Sequence, residues 1–367
     1  MDNKPLLVDA HEDLAYNMLT FGRNYTLPVT ETRRIEKNSD VPVLNGDSLL
    51  GWDAYQEGNV VLIFGTLFAA PIRHQVGPWD VLCYETYDEA RSLHMRQINA
   101  YYELVDEHAD KFQLVVDKKG LYNLRRQWDK KDYGVSKAHR VGVVLLMEGA
   151  ESVRSPDELD EWWQLGVRII GLAWAGTRFC GGTKEPGPLT KDGYSLLDGM
   201  ADLGFCLDLS HMDETAVLQA LDHFPGCLLV SHANAKALLK GAKSNRFLSD
   251  REISGVVERG GVIGVTAYNR FLTPGWVRGD ARELGSLEMV ANHIDHICQI
   301  AGNAHHAAIG SDFDGGFGLD CVPPEVDSIA DLQKLTPILT KKGYTRAEID
   351  AVLGLNWLNL LAMALPG

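Results

Sequence analysis

The chain has 367 residues, 45% of them hydrophobic, and a formal net charge of -15 at pH 7. That is ample apolar material for a large core, and the acidic excess removes any general attraction for polyanions, so nucleic acid is not an expected partner. The N-terminal stretch MDNKPLLVDAHED reaches charged residues before a signal-peptide core forms, and the apolar run at 60–71 falls well short of the roughly 20 residues of a membrane span. The expectation is a soluble, cytoplasmic protein with no membrane partner.

In chain order, continuous apolar runs occur at 5–9, 60–64, 142–147, 167–172, 205–209, 227–230, 261–265 and 307–310. Most are separated by stretches with helical apolar spacing, such as DEARSLHMRQINAYYELVDEH, SPDELDEWWQLG, YSLLDGMADLG, DETAVLQALDHFPG and SDREISGVVERGG. Strand then helix, repeated about eight times with uninterrupted strand hydrophobicity, predicts an α/β fold with a parallel sheet covered by helices. Eight units in this length favour a closed TIM (β/α)8 barrel. Residues 20–59 then form an extended excursion, an insertion after the first strand. FQLVV at 112–116 is a further short strand candidate outside the eight, either peripheral or a sign that the count differs, and CGGTKEPGPLTKDG at 180–193 is a loop on its Gly and Pro content. Ser155 and Ser249 each stand three residues before a glutamate and predict helix starts. No linker or fixed-spacing repeat divides the chain, so 1–367 is expected to be one barrel domain. The six cysteines are scattered and predict buried free thiols rather than a disulfide framework.

The polar residues at the strand ends carry the chemistry. His11 and Asp13 follow the first strand, Glu148 follows VGVVLLM, His211 follows FCLDLS, His232 follows CLLVS, and Asp312 and Asp314 follow AAIGS. In a closed barrel those ends surround one mouth. Imidazoles and carboxylates gathered there form a mixed N/O set suited to zinc or another divalent metal. Glu148 has two oxygens with which to bridge ions, and Glu12, between His11 and Asp13, points elsewhere. Two ions would supply a hydroxide nucleophile and polarise a carbonyl; one ion with the remaining carboxylate as general base is the other arrangement the residues permit. His293 and His296 lack completing ligands and are assigned to packing or surface roles. Ser231 lies in no G-x-S-x-G elbow and is read as structural.

Together the segments DAHEDL, MEGAES, DLSHMD, VSHANAKAL, NRFLSDREI, RGGVIGV and IGSDFDG resemble the membrane or renal dipeptidase family, zinc peptidases with an amidohydrolase-like barrel, along nearly the whole chain. The resemblance implies two zinc ions, with His11, Asp13 and Glu148 on one and Glu148, His211 and His232 on the other. It also implies that Arg246 binds the substrate carboxylate, that Asp312 engages the free amino group and transfers a proton, and that a metal-bridging hydroxide attacks the amide carbonyl of a small dipeptide. Family members often form homodimers, though no helix in this sequence identifies an interface. Two positions depart from the family pattern. Trp174 stands where a histidine positions the scissile carbonyl, and Asn359 replaces an arginine in the C-terminal motif. Because indole cannot carry the charge of imidazolium, Trp174 motivates a second expectation: hydrolysis of another small amide, an N-acyl amino acid or a lactone. A noncatalytic binding protein on the same barrel is the third. Trp174 is expected to form a pocket wall beside the reacting carbonyl.

Overall fold

The computed structural model describes residues 4–128 and 138–367. All eight expected apolar runs take part in strands: β1 (Leu7–Glu12), β2 (Val60–Phe68), β3 (Val141–Glu148), β4 (Val167–Gly171), β5 (Cys206–Asp208), β6 (Leu228–Leu229), β7 (Ile263–Val265) and β8 (Ala307–Ile309). Their interior positions are fully buried on both faces, as uninterrupted Val, Ile and Leu runs require when helices cover a parallel sheet. Six strands form one parallel ladder in the order β1-β2-β3-β4-β5-β6, while β7 pairs with β8 separately. The β2–β3 register runs from Leu62↔Gly142 to Phe68↔Glu148. Beyond it, Gly171 is the partner of both Glu148 and Asp208, and Asp208 pairs with Leu229. The carboxyl ends of five strands, β2 to β6, are thereby brought level.

The ladder is a curled, open half-barrel and not the fully laddered ring of eight that the pattern predicts. Among the described residues, single bridges, Val230↔Ile263 and Glu12↔Phe313, link its two edges to the β7–β8 pair. Strand length is the reason: β6 has two residues and β7 and β8 have three each, too few for a continued ladder. The approach at this seam is nevertheless close. A Cβ at Gly264 or Gly310 would lie 2.0 or 1.8 Å from the Ser231 carbonyl oxygen, so only glycine lets these backbones pack against the segment that presents His232.

The insertion after β1 is present, but it is helical and not extended, with helices at Leu14–Phe21, Val29–Glu36, Val41–Leu44 and Trp52–Glu57. A buried carboxylate far away in sequence pins it. Asp314 accepts hydrogen bonds from Tyr25 Oη at 3.1 Å, Ser48 Oγ at 2.7 Å and the Leu49 N–H at 2.8 Å, and pairs with Arg23 Nη1 at 3.0 Å. Such a group is tolerated in the interior because both oxygens have donors and a guanidinium lies against it.

Of the two alternatives for Phe112–Leu114 the peripheral one is found: it pairs with the start of β3 below the point where β4 begins to pair. Residues 180–193 are not a plain loop: Cys180–Gly182 and Glu185–Leu189 form an antiparallel hairpin, with Lys184 at φ 67° in its turn. Pro186 and Pro188 lie on a two-stranded edge, where a missing donor costs little. Ser249 and Glu252 form the expected capping box, whereas Ser155 makes no cap bond and Glu158 instead accepts from the Arg154 N–H. All six cysteines are free. No helix among the described residues is long and apolar enough to cross a membrane.

Candidate active site

The level strand ends bring the expected side chains together. His11 Nε2 lies 3.5 Å from Glu148 Oε2, 3.9 Å from Asp312 Oδ1 and 4.0 Å from Asp13 Oδ1. From the opposite side, His211 and His232 direct Nε2 to Glu148 Oε1 at 3.0 and 3.7 Å, and the two Nε2 atoms are 2.9 Å apart. Two groups have donor atoms close enough to hold an ion, His11–Glu148–His232 and His11–Asp13–Asp312. These groupings both include His11, whereas the resemblance divides the ligands with His211 and His232 on one side of Glu148. His211 and Asp312 sit at φ 65° and 61°, a left-handed backbone that costs about 1 kcal/mol or more per residue. Here it turns both side chains inward at the ends of their strands.

A second layer orients the imidazoles. Ser231 Oγ lies 2.6 Å from Asp208 Oδ2 and 2.8 Å from His232 Nδ1. An ionised carboxylate only accepts, so the serine proton points to Asp208 and the oxygen accepts from His232 Nδ1–H. His232 Nε2 is therefore left with a bare lone pair facing the cluster, the form a metal requires. Thr183 Oγ1 is 2.9 Å from His211 Nδ1 and serves the same purpose there. The Thr66 hydroxyl bonds Asp13 Oδ1.

The electrostatics call for a cation. Burial lowers the His232 imidazole well below its ordinary value, with the charges of His11 and Arg246 adding to the effect. Burial, and then Arg246, bring His211 down to about 4. Both are thus neutral donors. Burial also raises Asp312 well above the usual carboxylate range, helped by Asp13 and Glu148, and raises Asp13 to about 6. His11 behaves oppositely: burial would lower it, but Glu148, Asp13 and Asp312 outweigh burial and push it up to about 10. Glu148 is held below its usual range because His11 and His211 outweigh the cost of burying it. Carboxylates crowded around bare imidazole nitrogens draw in a proton, and His11 Nε2 is buried with no hydrogen-bond partner. This donor set fits divalent ions, which would supply the missing positive charge.

Two cavities meet above the cluster. The larger, about 460 Å³, is lined by Arg246, Tyr268, Phe271 and Trp276, and the smaller, about 190 Å³, by Tyr16, Phe68, Val76 and Trp79; both share Trp174, His211, Asp312 and Gly315. Trp174 therefore walls the cleft as expected, its ring 5.3 Å from Phe68, 5.6 Å from His74 and 6.2 Å from His211. Arg246 is buried, donates from Nη2 to the His232 carbonyl, and keeps its Nε without a partner. Glu12 turns away to accept from Tyr55 Oη at 2.6 Å. His293 accepts from the Ala235 N–H and His296 meets Asp250, both away from the cluster, and Asn359 is exposed. Sequence reasoning missed the orienting roles of Asp208, Ser231 and Thr183. The paired Ser-His at the ends of DLSH and LVSH was the available signal.

A match to the membrane dipeptidase family, peptidase family M19, runs over residues 2–364. The chain belongs to this family. Membership makes it an enzyme of the metal-dependent dipeptidase and amide hydrolase class, in agreement with the two candidate metal groups. An uncharacterized Klebsiella pneumoniae protein encoded in the pqqA 5' region is 34% identical over 233 residues, covering 60% of this chain and 81% of that one. Against an uncharacterized dipeptidase of Schizosaccharomyces pombe, 27% identical over 228 residues, 60% of this chain is matched to 53% of the relative's length. The fold is shared with a metallo peptidase from Rhodobacter sphaeroides liganded with a phosphinate mimic of the dipeptide L-Ala-D-Ala, with a TM-score of 0.78, 22% identity and coverage of 99% of this chain and 100% of that one.

Proposed function

We propose that the protein is a zinc dipeptidase with two ions, in which His11, Asp13 and Glu148 hold one and Glu148, His211 and His232 the other. The observation that carries this reading is the convergence of all five side chains, with Glu148 presenting one oxygen to His11 and the other to His211 and His232. When bound, the ions would lower the pKa of water to yield a nucleophile and polarise the scissile carbonyl. The chain's own residues do the rest. Arg246 pairs with the substrate α-carboxylate, which would satisfy its bare Nε. Asp312 receives the free amino group and takes up and returns the proton in amide cleavage, from a position beside the cluster with its Oδ1 3.9 Å from His11 Nε2. Trp174 covers the reacting carbonyl and excludes water.

Trp174 also supports a second reading, turnover of another small amide, an N-acyl amino acid or a lactone, because an indole stands in the wall at the position where the family pattern has an imidazole. A substrate panel on zinc-reconstituted protein separates the two: dipeptide hydrolysis is expected, and turnover of N-acyl compounds or lactones without it would reject the first. The same proposal takes the single bridges at both sheet edges as seams of a closed eight-stranded barrel and the chain as one cytoplasmic hydrolase domain. The net charge of -15 supports the absence of a nucleic-acid partner. Homodimerisation is carried over from the family and is checked by light scattering.

A further inference from the structure

We infer that the larger lobe of the cleft selects dipeptides whose C-terminal residue carries a second negative charge on its side chain, an inference that rests on the dipeptidase reading of the site. The two lobes differ in their cationic lining. The larger is lined by Lys184, Lys243, Arg246 and Arg270 against one carboxylate, Asp312. The smaller is lined by Asp13, Asp80, Glu148 and Asp312 and has no lysine or arginine. In the whole chain, acidic residues outnumber lysine and arginine by 50 to 35, so four cations to one anion around a single cavity runs against composition.

These cations come from separate parts of the fold. Lys184 stands in the turn of the 180–189 hairpin, Lys243 precedes Arg246 in the loop after β6, and Arg270 lies in the short helix Asn269–Leu272. One arginine is sufficient for the α-carboxylate, and the buried Arg246 is the one adjoining His232 and the metal cluster. Lys184, Lys243 and Arg270 are solvent-exposed and stand beyond it. They are surplus to what a simple zwitterion needs. Gathered cations repel one another, and an anion entering among them relieves that repulsion. Tyr268, Phe271 and Trp276 supply an apolar wall for the methylenes that carry such an anion. With Asp13 and Glu148 holding ions, Asp80 and Asp312 are the carboxylates left to the smaller lobe, and they give the substrate one orientation, ammonium and N-terminal side chain there, both carboxylates here.

The test compares Leu-Glu with Leu-Gln, which differ only in charge at the position concerned, on the full metal-loaded chain. Inhibition constants of the phosphinate isosteres of the same two dipeptides give a readout independent of turnover. Leu-Glu is expected to be favoured in kcat/KM by about tenfold, the scale of two or three screened charge contacts. That ratio should shrink several-fold at raised ionic strength and in the variant Lys243→Ala/Arg270→Ala, with the isosteres following the same pattern. Equal values for the acidic and neutral members of both pairs would overturn the inference, as would a preference that survives in the variant. Absent hydrolysis of both dipeptides, with the acidic isostere still bound more tightly through Lys243 and Arg270, would defeat the dipeptidase reading while leaving charge selection standing.

Discussion

Asp208→Asn is nearly isosteric, and its consequence follows from the hydrogen bonds around it. Asp208 Oδ1 accepts from the N–H groups of Ser210 at 3.0 Å and Ser231 at 2.9 Å, while Oδ2 accepts from Ser231 Oγ at 2.6 Å. In the variant, the two backbone donors hold the amide oxygen at the Oδ1 position, so the NH2 group replaces Oδ2 and donates into Ser231 Oγ. The displaced serine proton turns toward His232 Nδ1 at 2.8 Å, nearer and more basic than Ser210 Oγ at 3.1 Å, which already accepts the His232 N–H. His232 then carries its own proton on Nε2, where the lone pair should face the metal. Loss of such an outer partner costs roughly 10- to 100-fold in metal affinity, or about 1.4–2.7 kcal/mol. Competition against a chromophoric zinc chelator measures the affinity, and ¹⁵N-detected histidine NMR of the metal-free protein reads the tautomer. A folded variant that binds zinc within about twofold of the wild type would refute the reasoning.

Gly310→Ala is expected to destabilise the fold by about 2 kcal/mol or more in denaturant unfolding, because its Cβ would lie 1.8 Å from the Ser231 carbonyl oxygen. Unchanged stability would show that the seam beside His232 is loose. Arg246→Met is expected to raise KM for dipeptides by roughly 10- to 150-fold, the worth of a charge-assisted hydrogen bond, and to leave a C-terminally amidated dipeptide little affected. Equal losses on both substrates would contradict carboxylate binding. Trp174→His, at the wall shared by both cavities, is expected to raise kcat on dipeptides about tenfold by placing near the carbonyl an imidazole that can carry a positive charge. Steady-state kinetics showing no change would place the indole away from the reacting atoms.

The strands and the metal cluster were legible in the sequence because both rest on local pattern. An uninterrupted apolar run marks each strand, and the first polar residue past it falls at the mouth. β1 nevertheless continues through His11 to Glu12, since Glu12 itself pairs with Gly65, a contact no local pattern announces. The helical insertion was hidden for a related reason: its anchor, Asp314, lies 265 to 291 residues from Tyr25, Ser48, Leu49 and Arg23. The hairpin at 180–189 was obscured by prolines and glycines that an edge pair tolerates. Its function is nonlocal too, because Thr183 in its turn orients His211. Ring closure was legible only in part, because strand periodicity says little about how many residues actually pair.

The central claim is a two-ion site with Glu148 between the ions, and it is tested most directly by anomalous diffraction at the zinc edge, with metal content measured on the same crystals. Two zinc ions per chain are predicted, each within bonding distance of one Glu148 oxygen, His11 and Asp13 on the first and His211 and His232 on the second. A single ion, or two ions with Glu148 bound to neither, would contradict the account.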